Sequence, residues 1–407
     1  SHSPSPDNGD KVYWGGGVVA WDGQGVQIVP PFDAEFAAAI EATPPADQVP
    51  MKDDLDEAVD PRDEYVAEAV KLASGDEAAR ADLRIVLTAM HGVGAPLTSR
   101  VLEEAGFTHV SLVAAQAEPD PDFPTVPFPN PEEVGALDMA IEQARAEDAD
   151  LIIAVDPDAD RCALAVPDPA AEAGWRPLSG DQIGCLLGEF LASRGIQGSL
   201  ANSIVSSRLL ARIAHAHGLV HHTTLTGFKW IARAPELAFG YEEAIGFCPN
   251  PAVARDKDGI ASSVVAASLF AALKVEGRTA WDELDRLAHA HGLHVTGPLT
   301  FRVEEIEQIA AGMARLRAQP PSVLAGSPVV EVSDLSEGYR GLPPTDGVLV
   351  VTEAGDRVIA RPSGTEPKLK CYLEVILSAP KGEPVPWEAA RERLELIKSE
   401  FGRIIGL

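Results

Sequence analysis

The sequence is poor in positive charge. Over 407 residues, 33 Lys and Arg stand against 62 Asp and Glu, a formal charge of −29. Such an excess opposes nonspecific attraction to nucleic acid or an anionic membrane, and any anionic substrate has to be met by a focused cationic pocket. Cysteine is scarce as well. Cys162, Cys185, Cys248 and Cys371 lie far apart with no C-x-x-C spacing, which excludes a zinc knuckle or a dense disulfide framework; all four read as reduced packing residues. No apolar run approaches the roughly 20 residues needed to cross a bilayer, and the opening Ser1-His2-Ser3-Pro4 lacks a charged-then-apolar leader pattern. The expected location is cytoplasmic. An initiator Met is missing too, and the first residues read like the middle of a loop, as if the chain were trimmed. No strong repeat with a period of roughly 20 to 50 residues is visible. His215, His217, His221 and His222 have no carboxylate at ligand spacing and are given no catalytic role.

What is present is enough apolar residue, 45%, to argue against disorder and for a large core spread over about two to four domains. The Pro- and Asp-rich stretch from Thr43 to Pro61 reads as an interdomain connection, with a boundary near Arg62. Beyond it, a helix over Glu64 to Ala73, a strand over Leu83 to Thr88, the turn Met90-His91-Gly92-Val93-Gly94, a helix over Leu97 to Ala105 and a strand over Val110 to Val113 form a β-loop-α-β unit. A helix is expected over Glu132 to Glu147. A second unit follows, with helices over Asp181 to Ser193 and Leu209 to His217, a strand over Leu200 to Val205 and a long helix over Asp258 to Leu273. From Leu299 onward, strands over Leu299 to Val303, Val348 to Thr352 and Arg357 to Ala360 and a helix over Glu304 to Arg317 suggest a separate α+β domain.

The most informative segment is Asp156-Pro157-Asp158-Ala159-Asp160-Arg161, directly after the apolar run Leu151 to Val155. The run reads as a strand buried on both faces, and Pro157 cannot donate to a ladder, so the chain must turn. Three carboxylates then sit at a strand's carboxyl end, where open α/β sheets place ligands, and oxygen ligands suit a hard cation such as Mg²⁺. Near the carboxyl terminus, Arg361-Pro362-Ser363-Gly364-Thr365-Glu366-Pro367-Lys368 combines a guanidinium, two hydroxyls and a glycine. This is the vocabulary of a phosphate-binding loop, and equally of a polar hairpin turn. The adjacent acids Glu242 and Glu243 suit sugar hydroxyls or a solvated face; Lys229 suits a ligand contact or a surface cation beside Trp230. His91 reads as a hydrogen-bonded structural histidine.

Taken in order, these motifs resemble the α-D-phosphohexomutases, particularly the phosphoglucomutase branch that includes phosphopentomutases and bisphosphosugar synthases. Ser1-His2-Ser3-Pro4 with Asn8-Gly9 and Lys11 is similar to the family's phosphoserine loop, Asp156 to Arg161 to its metal loop, Gly240 to Gly246 to its sugar loop, and Arg361 to Pro367 to its phosphate loop. Two positions depart from the pattern: Ser3 replaces an Asn and Ala244 a Ser. The resemblance implies an α/β protein of three related mixed-sheet α/β domains, the first truncated, plus a C-terminal α+β domain around a central cleft. The divisions fall at residues 1–62, 63–178, 179–295 and 296–407.

The resemblance also implies the chemistry. Phosphorylated Ser1 would transfer its phosphoryl group to a hexose monophosphate, most readily glucose, and the bound bisphosphate would reorient and return its other phosphoryl group. Asp156, Asp158 and Asp160, with the Ser1 phosphate, would hold Mg²⁺; Arg161 would stabilise charge and Lys11 act as general base. Arg361, Ser363, Gly364 and Thr365 would clamp the idle phosphate, Glu242 and Glu243 would bind hydroxyls, and Lys229 would add a contact. Glucose 1,6-bisphosphate is the expected activator and a small sugar phosphate the expected partner. Pentose and mannose phosphates are alternative substrates, and a metal-dependent phosphatase or a noncatalytic phosphosugar-binding protein are alternatives of another class.

Overall fold

A computed structural model describes residues 11–15, 17–19, 21–50, 59–303, 305–363 and 367–406. The chain divides into two compact units. One takes in the described residues up to Ile183 together with Gln197–Ser199 and Gly227–Gly277; the other comprises Gly184–Ile196, Leu200–Thr226 and the described residues from Arg278 onward.

In the first unit, strands β1 (Arg84–Thr88), β2 (His109–Leu112), β3 (Leu151–Val155), β4 (Cys162–Pro167) and β5 (Trp175–Pro177) form one sheet in the order β2-β1-β3-β4-β5. β1 runs parallel to β2 and β3, whereas β3-β4 and β4-β5 are antiparallel. Every residue of β3 is buried, as its unbroken apolar sequence predicts for a strand covered on both faces. One cover is the helix Gly259–Val275, which packs against β3 and β4 and against the helices Arg62–Val70 and Ala95–Glu104. Its sequence is apolar or small nearly all round, the signature of a helix enclosed by protein.

The chain continues through β6 (Ser199–Ser203) and β7 (Val220–Thr224), which are neighbours in a sheet, and through the antiparallel pair β8 (Leu237–Glu242) and β9 (Gly246–Cys248), the latter two belonging to the first unit. In the second unit, β10 (Leu293–Arg302), β11 (Val323–Leu324), β12 (Ser327–Asp334), β13 (Val348–Thr352), β14 (Arg357–Pro362) and β15 (Lys368–Leu377) form an antiparallel sheet ordered β10-β15-β14-β13-β12-β11. Val348, Val350 and Val358 face a core shared with helices Ile306–Ala318 and Trp387–Ile405, while Leu349 and Ile359 point the other way, against Ile204, Val205 and Leu335. The alternation is the period-two signature of a strand. In the second helix Leu394, Ile397, Phe401 and Ile405 recur at helical spacing and are all buried.

Two expectations need correction. The helix anticipated over Glu132 to Glu147 is confined to Asp138–Glu147, because Gly135 adopts φ +87° and breaks the run. The strand anticipated over Leu200 to Val205 ends at Ser203, after which the chain turns. Among the described residues no single helix is long and apolar enough to cross a membrane.

The second unit buries a charge network around Glu374. The Glu374 carboxylate is fully buried and accepts from Arg208 Nε (2.6 Å), the Arg208 backbone N–H (2.8 Å), Ser207 Oγ (2.9 Å) and His294 Nδ1 (2.9 Å), with Arg357 Nη2 at 3.3 Å. Burial alone would raise this carboxyl's pKa; the Arg357 charge, the His294 hydrogen bond and Arg208 outweigh it and hold the group well below the ordinary range. Glu374→Gln is therefore expected to cost about 3 kcal/mol in urea unfolding at pH 7, since the buried Arg357 and the partly buried Arg208 lose their counter-charge. A folded pKa below the unfolded value means that this stabilisation is present above about pH 4.3 and lost as pH falls through the folded pKa. The gap between wild type and variant should accordingly shrink below pH 4.

Candidate active site

The antiparallel pairing of Val155 with Cys162 makes Asp156 to Arg161 the tip of the β3-β4 hairpin. Asp156 is fully buried, and its Oδ1 accepts the Arg161 backbone N–H at 3.0 Å. Ala159, at φ +59°, turns the chain so that its N–H reaches the Asp156 carbonyl at 2.8 Å. Asp156, Asp158 and Asp160 each offer a carboxylate oxygen within 4.8 Å of the others. Three hard anionic oxygens converging at this spacing fit a divalent cation of the Mg²⁺ type.

Backbone from three other segments encloses this tip. Val93 N–H donates to the Pro157 carbonyl at 2.9 Å and Gly259 N–H to Ala159 at 3.1 Å. Cys162 N–H reaches the Ile245 carbonyl at 3.1 Å, extending a β-bridge between Arg161 and Gly246. A Cβ on Gly92 would lie 2.3 Å from the Pro157 Cα, one on Gly94 2.7 Å from the Ala159 Cβ, and one on Gly259 2.3 Å from the Arg161 carbonyl. The Met90 to Gly94 glycines thus meet a close approach as well as a turn. His91, beside them, is hydrogen-bonded through Nε2 to Thr125 Oγ1 at 2.8 Å, as expected for a structural histidine.

Among the described residues, three cations gather around the carboxylates. Lys11 Nζ contacts Asp160 Oδ2 at 2.5 Å and Asp158 Oδ2 at 3.2 Å. Arg161 lies 3.7 Å from Asp160 and 3.9 Å from Glu242. Lys257 Nζ is 3.3 Å from Asp160 and 3.4 Å from Asp256, and it stands 5.5 Å over the Phe228 ring. Burial by itself lowers the pKa of both lysines, but Asp160 and Asp158 at Lys11, and Glu242, Asp160 and Asp256 at Lys257, raise it more, so both hold their protons. Burial pushes the Glu242 carboxyl upward against the pull of Lys257 and Arg161. Glu242 ends β8, and Glu243 follows in the turn to β9, where a Cβ on Gly180 would lie 2.0 Å from the Glu243 carbonyl oxygen.

The first unit therefore brings together Lys11, Asp156, Asp158, Asp160, Arg161 and Glu242. Lys229 lies in the short helix Phe228–Ile231, next to the ring that carries Lys257. Arg361 and Ser363 belong to the second unit, at the β14-β15 hairpin, where Ser363 N–H donates to the Lys368 carbonyl at 2.8 Å. Ser1, Gly364 and Thr365 lie outside the described residues. Lys257 went unnoticed in the sequence, because Asp256-Lys257-Asp258 reads as a solvated charge run. Its side chain is in fact only 11% exposed.

Residues 63–169, 179–290 and 272–383 match the family descriptions "Phosphoglucomutase/phosphomannomutase", respectively alpha/beta/alpha domain II, alpha/beta/alpha domain III and C-terminal domain. The chain is 43% identical over 389 residues to the "Probable phosphomannomutase" of Haemophilus influenzae, across 94% of this chain and 77% of that one. To the phosphopentomutase of Homo sapiens it is 31% identical over 445 residues, across 98% and 70%. Among solved structures, parafusin, a phosphoglucomutase of Paramecium in an open form, superposes with a TM-score of 0.62 at 18% identity over 85% of this chain and 63% of that one, a likeness of fold.

The enclosure of the hairpin tip predicts that Gly92→Ala forces Pro157 to move. Its affinity for Mn²⁺, read by electron paramagnetic resonance, should fall by about tenfold or more. Gly15→Ala, at a site with nothing within 4 Å of the added carbon, should leave that affinity unchanged.

Proposed function

Because the chain belongs to the phosphoglucomutase/phosphomannomutase superfamily and is a phosphomutase, an intramolecular phosphotransferase, we propose that it interconverts the 1-phosphate and 6-phosphate of a hexose, with glucose the first substrate, through a phosphoserine and a bound bisphosphate. The observation that supports this reading most directly is the convergence of Asp156, Asp158 and Asp160 on one hairpin tip with Lys11 and Arg161 against them. Mannose and pentose phosphates are the alternatives, since relatives carry those names. We place the reaction in the cytoplasm.

Ser1 carries the phosphoryl group. Its P–O bond breaks as a new one forms to the free sugar hydroxyl, whose proton passes to Lys11 Nζ and from there to the departing Ser1 Oγ. After the bisphosphate reorients, its other phosphoryl group returns to Ser1, and the Ser1 hydroxyl proton passes through Lys11 Nζ to the departing sugar oxygen. Mg²⁺ held by the three aspartates and the Ser1 phosphate would offset charge on the transferring group. Arg161 adds a fixed positive charge at the same place. Lys11 can accept a proton only when Asp158 and Asp160 no longer hold its ammonium form, so its base role depends on those carboxylates being engaged elsewhere. Arg361, Ser363, Gly364 and Thr365 grip the phosphate that is not reacting, Glu242 and Glu243 receive sugar hydroxyls, and Lys229 adds a contact. Glucose 1,6-bisphosphate serves as activator by phosphorylating Ser1.

The test is ³¹P NMR of the protein with glucose 1-phosphate, Mg²⁺ and a trace of glucose 1,6-bisphosphate. Glucose 6-phosphate should appear, and Ser1→Ala should abolish it. Asp158→Asn should slow it by about a thousandfold, as removal of a charge-stabilising group at a phosphoryl transfer site does. Inorganic phosphate in its place would make the protein a phosphatase; conversion of only mannose or ribose phosphates would reassign the sugar.

A further inference from the structure

We infer that Tyr65 is a positioning residue for the cation site, acting through Asp258. The inference rests on the assignment of Asp156, Asp158 and Asp160 as cation ligands. Tyr65 lies on the helix Arg62–Val70 and donates its phenol O–H to Asp258 Oδ1 at 2.6 Å. That oxygen also accepts the Ala261 N–H at 2.8 Å, which makes Asp258 the N-cap of the buried helix Gly259–Val275. The Asp258 backbone is tied to β9 through its N–H to the Phe247 carbonyl at 2.8 Å, and Ser262 Oγ donates to the Asp258 carbonyl at 2.6 Å.

Both chain neighbours of Asp258 touch the hairpin tip. On one side Lys257 Nζ is 3.3 Å from Asp160; on the other, Gly259 N–H donates to the Ala159 carbonyl, and Gly259 sits so close to the Arg161 carbonyl that no Cβ fits between. A shift of the Asp258 corner therefore moves an ammonium and a backbone hydrogen bond at the tip together. The corner's carboxylate is buried, and its Oδ1 is held by two donors from different elements, the Tyr65 phenol from outside the helix and the Ala261 N–H from within it. Losing the phenol leaves the helix cap in place but removes the bond that fixes the corner against the helix Arg62–Val70. A buried carboxylate short of one donor relaxes toward another, and the tip follows.

The experiment measures Mn²⁺ binding to the full chain without substrate, by electron paramagnetic resonance, for wild type, Tyr65→Phe, Lys274→Met and Asp158→Asn. Lys274 sits in the last turn of the same buried helix, where its Nζ reaches the Asp82 carbonyl at 2.7 Å and Asp150 Oδ2 at 2.8 Å. Its replacement therefore loosens that helix away from the site. Tyr65→Phe should raise the Kd for Mn²⁺ about tenfold, and Lys274→Met should leave it unchanged even with an equal fall in Tm. In turnover, Tyr65→Phe should raise the Mg²⁺ concentration for half-activation by a similar factor while kcat at saturating Mg²⁺ and KM for the sugar phosphate stay near wild type. An unchanged Kd in Tyr65→Phe, an equal rise in Lys274→Met, or Mn²⁺ binding that survives Asp158→Asn would each overturn the inference. Tenfold weaker Mn²⁺ binding in Tyr65→Phe from a protein with no mutase turnover would uphold the inference and sink the functional reading instead.

Discussion

Everything around the candidate active site follows from placing an anionic carboxylate, Asp156, at the end of a strand buried on both faces. Taking such a group from water costs several kcal/mol unless fixed dipoles or charges replace its hydration. The hairpin supplies one dipole itself, the Arg161 N–H. Because the tip is enclosed by protein, its own peptide groups also need partners, and these come from backbone of the segments at Val93, Ile245 and Gly259. Backbone can come this near only where side chains are absent, which is why Gly92, Gly94 and Gly259 occupy the contact points. The glycines, the start of the long buried helix and the Arg161-Gly246 bridge thus all serve the enclosed hairpin tip that carries the buried carboxylate.

The same economy governs the electrostatics. In a chain so acidic, Lys11, Arg161 and Lys257 converge on one spot, yet among the described residues acids still outnumber them there, counting Asp156, Asp158, Asp160, Asp256 and Glu242. A dianionic phosphate would be repelled by that balance. Binding of a divalent cation reverses it, so cation and phosphate should bind with positive coupling, the one making a place for the other.

Much of this was legible in the sequence because it is local. A strand of five apolar residues followed by alternating aspartates needs no knowledge of distant chain, and β3 and its loop lie where the pattern puts them. The Arg361 to Lys368 segment likewise reads as a connection between two strands, and it joins β14 to β15. What escaped was nonlocal or ambiguous. Lys257 sits in a charge run whose burial is decided by β9 and the metal loop, and Tyr65 is 193 residues from the carboxylate it binds. Gly135 carried a local warning that the helix periodicity overrode. The helix Ala280–His291 had a clear start in Thr279 and Asp282, which form a reciprocal capping box. Its signal lay at the edge between two regions of different character and was passed over.

The two units also show how a fold separates a carboxylate that holds structure from carboxylates that can act. Glu374 is fixed by Arg208, Arg357, Ser207 and His294, and Arg357 itself donates to the carbonyls of Ile204 and Ser206. Arg208, Arg357 and Ser207 cannot leave without breaking hydrogen bonds to backbone, so that charge is locked and serves stability. Asp158 and Asp160 instead face the head of Lys11, whose side chain is 40% exposed on a flexible stem. An ammonium at the end of such a stem trades protein for water at little cost, since an exposed ion pair is worth about 0 to 1 kcal/mol. A cation competing for Asp158 therefore displaces a weak partner, whereas one competing for Glu374 would have to dismantle a core. The distinction lies less in the carboxylate than in what it costs its neighbours to let go.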